Sequence, residues 1–287
     1  MDFPRDKLAF QKILIRRLTA LYPASEAKMI AHLLLDHTKC KIEGESFSDT
    51  EYPAISQMAQ RLIMAEPLQY VLGEAHFYGR DFFVNPAVLI PRSETEELVI
   101  WVRDELLGHK GNNSLKILDI GTGSGCIPVT LALELKDRGI MADLQAVDIS
   151  EKALEVAKSN ASRWAIPITF IQQDILNANP EDFSDLDVIV SNPPYVRESE
   201  KLLMHKNVLD FEPREALFVP DQNPLVFYKK ITTLAAAWLR PGGKLFLEIN
   251  ESFGPEMVTL LRDNAFVRIE LHRDLQGKER VVRGEKP

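Results

Sequence analysis

Asn192-Pro193-Pro194-Tyr195 closes the apolar run Val188-Ile-Val-Ser191. The run predicts a buried strand, and the two prolines stop it. Neither proline has an N–H, and both hold the chain extended, so nearby carbonyls are free to face a ligand. Asn192 adds an amide with donor and acceptor capacity, and Tyr195 adds an aromatic face. The combination suits a planar substrate nitrogen. The Asn192 side-chain oxygen and the Pro193 carbonyl take its two N–H bonds, Pro194 fixes the turn, and Tyr195 packs beside it. The chemistry implied is on an amide or an exocyclic amino nitrogen. The alternative is a rigid strand-end turn with no substrate.

A second group lies upstream, in Asp119-Ile-Gly121-Thr122-Gly123-Ser124-Gly125. It follows one apolar run and opens a helical pattern. Glycines let a backbone turn sharply and approach a ligand closely. The dinucleotide spacing G-x-G-x-x-G fails because Cys126 follows Gly125, and no Gly-Lys-Ser/Thr ending is present. The loop therefore favours a cofactor without a pyrophosphate, although a tight turn with no ligand would read similarly. Asp148 ends the next apolar run and is placed to accept from ribose hydroxyls. Capping the helix that starts near Ser150 is its competing role. Asp174 ends the run after that and is placed to accept from an adenine amino group, with Ile149 and Ile175 against the ring. Asn192 faces the same cofactor. Three carboxyl-end sites in series argue against three unrelated solvated charges.

The elements that must position these groups follow an α/β pattern. Apolar runs at 116–120, 144–147, 168–172, 188–191 and 244–249 predict strands. Helical periodicity at 127–135, 151–164 and 225–239 separates most of them. Alternation of this kind predicts a parallel sheet covered on both faces. A final pair, 266–271 and 280–282, reads as an antiparallel hairpin at the sheet edge. Residues 1–76 differ: Ala27, Ile30, Ala31, Leu34, Leu35 and Ile55, Met58, Ala59, Leu62, Ile63 recur at helical spacing. Gly44 and 46–50 read as a connection, and Glu66-Pro67 ends a helix. Residues 77–84 and 87–90 read as two strands around Asn85-Pro86, making 77–92 a hairpin linker. Ser93 with Glu96 fits a capping box, opening a third region at 93–287. Gly108 to Ser114 reads as a polar loop.

Composition narrows the partners. The 287 residues are 45% hydrophobic and 26% charged, ordinary for a globular chain. No apolar run is long enough to span a bilayer, and the charged N-terminus has no signal-peptide core. Membrane association is not expected. Cys40 and Cys126 are the only cysteines. No disulfide framework and no metal centre are expected, and a reducing cytoplasm is the simplest home. Net charge is −8, with nine basic and ten acidic side chains before residue 79. Neither part is basic, which argues against direct nucleic-acid binding.

These features resemble class I S-adenosylmethionine-dependent methyltransferases. Gln69-Tyr-Val-Leu-Gly73, Val88-Leu-Ile-Pro-Arg92 through Thr95-Glu96, Asp210-Phe-Glu-Pro-Arg-Glu-Ala-Leu217 and Leu275-Gln-Gly-Lys-Glu-Arg-Val281 are similar to the HemK-like release-factor glutamine methyltransferases. The resemblance implies a Rossmann-like domain, seven-stranded and mostly parallel with an antiparallel edge strand. A helical bundle and a hairpin linker precede it. It implies S-adenosylmethionine as cofactor and S-adenosylhomocysteine as product. The expected substrate is the Gly-Gly-Gln glutamine of bacterial peptide-chain release factors, with residues 1–76 as the platform for that protein. Ser93 and Asn250 depart from the family pattern, which usually has Pro and Gly there. Glu212-Pro213-Arg214 is either a substrate wall or a solvated loop. A DNA or RNA amino-methyltransferase and a non-catalytic S-adenosylmethionine-binding regulator are the alternatives.

Overall fold

The computed structural model describes residues 3–38, 46–108 and 114–287. Gly44, Cys40 and residues 109–113 of the polar loop lie outside the described residues. The chain divides into two compact units, Met1–Glu74 with Met204–Phe211, and Ala75–Leu203 with Glu212–Pro287. Residues 204–211, which the sequence boundaries assign to 93–287, thus group with the first unit. No helix among the described residues is long and apolar enough to cross a membrane.

The first unit is helical: α1 Lys7–Leu18, α2 Ala24–His37, α3 Glu51–Ile63 and α4 Leu68–Leu72. Asp6 caps α1 by accepting the Ala9 N–H at 2.7 Å. Pro67 precedes α4, and Gly73 ends it with φ 76°. The helices enclose Phe10, Leu14, Ile30, Leu34, Phe47, Ile55 and Leu62. Ala27, Ile30, Ala31, Leu34 and Leu35 form the buried stripe of α2 that their spacing predicts.

The second unit begins with the hairpin β1 Glu74–Phe77 and β2 Arg80–Phe83. This corrects the expected hairpin over 77–92. The turn is Tyr78-Gly79, both at positive φ (52° and 72°), the geometry that matches the twist of paired strands. Residues 84–92 are irregular and form no strand. Helix α5, Ser93–Leu106, follows, and the expected capping box is absent. Glu96 instead accepts the Tyr78 N–H at 2.7 Å, and the Ser93 hydroxyl donates to Glu94. Tertiary demand took Glu96 from the helix end and spent it on the hairpin turn.

The remaining elements are β3 Leu115–Ile120, α6 Cys126–Lys136, β4 Ala142–Asp148, α7 Glu151–Arg163, β5 Thr169–Gln172, β6 Leu186–Ser191, β7 Val196–Arg197, α8 Lys206–Phe211, β8 Phe218–Val219, α9 Val226–Trp238, β9 Leu239–Glu248, α10 Gly254–Asp263, β10 Val267–Arg273 and β11 Glu279–Glu285. Seven strands form one sheet in the order β10-β11-β9-β6-β3-β4-β5. β11 runs antiparallel to both neighbours, and the other pairs are parallel. Residues alternate between faces along each central strand. Ile117, Val188, Val190, Phe246 and Val281 pack under α5 and α6. Leu118, Ile189, Leu245, Leu247 and Val282 pack under α9 and α10. Helix α10 was not anticipated; the sequence reading placed no element between β9 and β10.

Candidate active site

Register builds the site. Ile120 pairs with Val147 on one side and Ser191 on the other, and Ser191 pairs with Leu247. The next residues, Gly121, Asp148, Asn192 and Glu248, therefore stand in line at the carboxyl edge of the sheet. The Ser191 hydroxyl donates to the Ile120 carbonyl at 2.7 Å and locks two of these strand ends together. The chain runs outward from β3 through β4 to β5, then returns to β6 on the other side of β3. That reversal opens a crevice at the carboxyl ends of the strands, where ligands of open α/β sheets bind.

A cavity of about 370 Å³ occupies this crevice. Gly121, Gly123, Asp148, Ile149, Asp174, Ile175, Asn192, Pro193 and Pro194 line it. Ala87, Val88 and Leu89 close it from the irregular linker, and Glu215, Ala216 and Phe218 close it from the segment after α8. The linker was missed as a cavity wall; the segment after α8 is the one the sequence offered as either a substrate wall or a solvated loop. Glu212 anchors both: its buried carboxylate accepts the Ile90 N–H at 3.2 Å and the Arg92 guanidinium at 2.6 Å. The Glu212-Pro-Arg segment is thus anchored rather than a freely solvated loop. A wider groove of about 610 Å³ beside Lys116, Asp143 and Asp182 gathers none of the predicted site residues.

The glycine loop is held in shape before any ligand arrives. Gly121 has φ 73°, and a Cβ there would touch the Asn192 carbonyl oxygen at 4.0 Å. Gly125 has φ 77°, and its Cβ would meet the Ala157 Cβ at 3.1 Å, so α6 starts hard against α7. Asp148 accepts the Gly123 N–H and the Ser150 N–H, both at 2.9 Å. Ser150, not Asp148, caps α7 through the Ala153 N–H. Asp148 keeps further lone pairs on the cavity side. Buried Asn160 accepts the Phe83 N–H and donates to the Phe83 and Ser124 carbonyls, tying β2 to the loop. No short motif marked Asn160; a lone asparagine on a helix carries no signal until the fold closes.

Asp119 lies beneath the loop, fully buried, with neither oxygen hydrogen-bonded. Burial pushes its pKa up to about 7, with Thr122 opposing and Asp148 reinforcing the rise. The hydroxyls of Thr122 and Ser124 are also buried; they lie close enough to Asp119 and Cys126 to lower those groups' pKa values, short of full hydrogen-bond geometry. Asp119, Thr122 and Ser124 do not line the cavity itself; they lie behind its glycine floor, and a mostly apolar wall with buried polarity behind it fits an amphipathic, nucleoside-sized cofactor. Asp174 caps the next turn, accepting from Leu176 N–H at 2.9 Å and the Asn177 amide at 2.6 Å. Its carboxylate lines the cavity while already carrying these two bonds.

The Asn192-Pro-Pro-Tyr195 segment divides between two surroundings. Asn192, Pro193 and Pro194 face the cavity. Tyr195 does not line it; its ring packs in the cluster with Tyr228 and Ile249. The Tyr195 hydroxyl donates to Glu248 Oε1 at 3.1 Å, and burial raises its pKa. Thr95 Oγ1 donates to Glu248 Oε2 at 2.7 Å and accepts the Asn192 amide at 3.1 Å. Asn250 braces the Tyr195 carbonyl at 3.4 Å and accepts the Ser252 N–H. Cys126 is buried and its thiol is pushed up to about 12 by burial, which removes it as a nucleophile. His205 is exposed and belongs to the other unit.

Release factor glutamine methyltransferases of Flavobacterium psychrophilum and Bacteroides thetaiotaomicron are each 40% identical to this chain. The alignments cover 94% and 92% of it and 95% of each relative. The chain belongs to the release factor glutamine methyltransferase family. Within it, residues 105–210 match the family described as Methyltransferase small domain. A solved 16S rRNA N2 methyltransferase from T. thermophilus superposes with a TM-score of 0.53 at 21% identity. That match covers 75% of this chain and 50% of the other, and it shows the fold.

Proposed function

We propose that this chain transfers the methyl group of S-adenosylmethionine to the side-chain amide nitrogen of the Gly-Gly-Gln glutamine in bacterial peptide-chain release factors. The products are N5-methylglutamine and S-adenosylhomocysteine. The observation that carries the reading is the shared sheet edge. Gly121, Asp148 and Asn192 stand level at the ends of three adjacent strands and face one cavity. The family named above supplies the reaction.

The cofactor, when bound, supplies an electrophilic methyl on a sulfonium. Gly121 and Gly123 would give it a backbone floor, Asp148 would accept from its ribose, and Ile149 and Ile175 would flank its adenine. Asp119, Thr122 and Ser124 supply buried polarity below, with Gly125 setting the loop's exit into α6. Asp174 contributes at the adenine edge through its remaining lone pairs. An amide nitrogen is a poor nucleophile because its lone pair is shared with the carbonyl. Asn192 Oδ1 and the Pro193 carbonyl accept its two N–H bonds, aim it at the methyl and stabilise the positive charge that develops on it. Pro194 keeps the backbone extended. Tyr195 acts beside the amide site through its link to Glu248.

Residues 1–76 recognise the release factor in this account, with 77–92 as the linker and 93–287 as the catalytic region. Support comes from the separate apolar core of the first unit. The acidic balance of the chain supports a protein substrate without direct nucleic-acid binding. A cytoplasmic location follows from that substrate. The nucleic-acid alternative is not favoured, since the relatives are named for release factor glutamine. Peptide mass spectrometry after incubation with release factor, DNA duplex and RNA in parallel tests the reading: the methyl should appear on glutamine alone.

A further inference from the structure

We infer that Thr95 and Glu248 set the hydrogen-bond polarity of Asn192, so that its Oδ1, not its Nδ2, faces the substrate amide. The inference rests on the methyl-transfer reading above. It begins with a problem of symmetry. An asparagine amide has two ends of nearly equal shape, one donor and one acceptor. A glutamine amide nitrogen presents only donors to its binding site. Asn192 is useful in one orientation and obstructive in the other, and its neighbours must choose between them.

The choice propagates from the sheet. Glu248 ends β9 and is buried. As a carboxylate it only accepts. Tyr195 donates to Oε1 at 3.1 Å and Thr95 donates to Oε2 at 2.7 Å. Thr95 has one proton, and Glu248 takes it. Toward Asn192, 3.1 Å away, Thr95 Oγ1 can then only accept. Asn192 must turn Nδ2 to Thr95, which leaves Oδ1 for the substrate. Thr95 lies on α5, Asn192 after β6 and Glu248 on β9, so three separate elements meet to make one directional chain. Neither Thr95 nor Glu248 lines the cavity, so they are positioning residues and touch no reacting atom.

Glutamine at 248 would have both a donor and an acceptor. Thr95 could then donate to Asn192 and flip its amide, setting donor against donor at the substrate. Protonation of Glu248 has a similar consequence. Its pKa is raised to about 6 by burial. Thr95, Tyr195 and Arg280 oppose the rise, and Glu94 reinforces it. Tyr228 donates to its backbone carbonyl, and Cys126 shares its surroundings. The carboxylate form, which imposes the polarity, prevails above that value and is lost as pH falls through it.

The test compares Thr95→Val, Thr95→Ser and Glu248→Gln in the full chain, with intact release factor and saturating S-adenosylmethionine. Valine copies the shape of threonine without the hydroxyl, so packing survives and direction does not. Thr95→Val and Glu248→Gln should each lower kcat at least ~10-fold, the scale of a misdirected reacting group. S-adenosylmethionine affinity by calorimetry should stay within about threefold of wild type. Thr95→Ser should recover most of the kcat that Thr95→Val loses. The acid limb of the kcat profile near pH 6, present in wild type, should vanish in Thr95→Val. A kcat near wild type in Thr95→Val, or equal losses in the valine and serine variants, overturns the inference. No glutamine methylation by wild type overturns the activity itself, whereas an active wild type with an undiminished valine variant overturns only the polarity assignment.

Discussion

Asn192 is the residue on which the proposed chemistry turns. In that proposal it offers the acceptor that orients the nucleophile and offsets its developing charge. Asn192→Ala should lower kcat about 100-fold or more, the usual cost of one preorganised polar contact. Calorimetry should find S-adenosylmethionine affinity little changed, and near-normal turnover in a folded variant would exclude the role. Asp119 gives a second test. Burial pushes its pKa up to about 7, so it is largely protonated at pH 6 and ionised at pH 8. A cationic cofactor favours the carboxylate. Affinity should therefore rise as pH rises through about 7 and weaken below it, and Asp119→Asn should flatten that dependence. The residue types of this site were legible in the sequence because the Gly121–Gly125 loop and Asn192–Tyr195 are contiguous. The Asn192–Thr95–Glu248 chain was not, because its members lie far apart in sequence and meet only after β6 and β9 pair. Tyr195 shows the same limit: an aromatic beside a motif reads as packing against the substrate amide, yet its hydroxyl is committed to Glu248 and its ring does not line the cavity.

At the level of elements, strand ends matter more than strand lengths. One-residue slippage of β4 against β3 would move Asp148 away from Gly121 and onto the other face. The loop and hairpin are held in register by Asn160, which makes three bonds inside the protein. Asn160→Ala leaves a buried N–H and two carbonyls short of partners. Urea denaturation should show a loss of at least about 3 kcal/mol, since three groups are orphaned and each costs ~1–3 kcal/mol. Cofactor affinity should fall as well because the Ser124 carbonyl loses its anchor. A loss below the scatter of the measurement would mean that the loop is held elsewhere. The parallel strands and the covering helices α6, α7 and α9 were legible from periodicity alone, whereas α10 was not. The hairpin was not: Asn85-Pro86 carries a strong turn signal, but Tyr78-Gly79 makes the turn, with a tyrosine at φ 52° that propensity disfavours. Glu96 misled for a related reason. A glutamate three residues into a helix can cap it, and here it satisfies the Tyr78 N–H instead.

For the whole molecule, the proposed mechanism places chemistry in residues 93–287 and recognition of the partner in residues 1–76. A four-residue grip on an amide cannot select one glutamine among many, so binding energy must come from surface farther away. Intact release factor should therefore exceed a short Gly-Gly-Gln peptide in kcat/KM by a wide margin, measured under the same cofactor conditions. Equal values would make residues 1–76 structural. The grouping of Met204–Phe211 with the first unit was illegible, because a helix of 6 residues with no buried side chain is too short to show a periodic stripe. The most direct test of the central claim is the site of methylation. The full chain, S-adenosylmethionine and intact release factor should be incubated together, digested and mapped by mass spectrometry, with DNA duplex and RNA as parallel substrates. The account predicts one methyl group on the Gly-Gly-Gln glutamine amide and none on either nucleic acid. Methylated base, or unmodified glutamine with an active cofactor site, would contradict it.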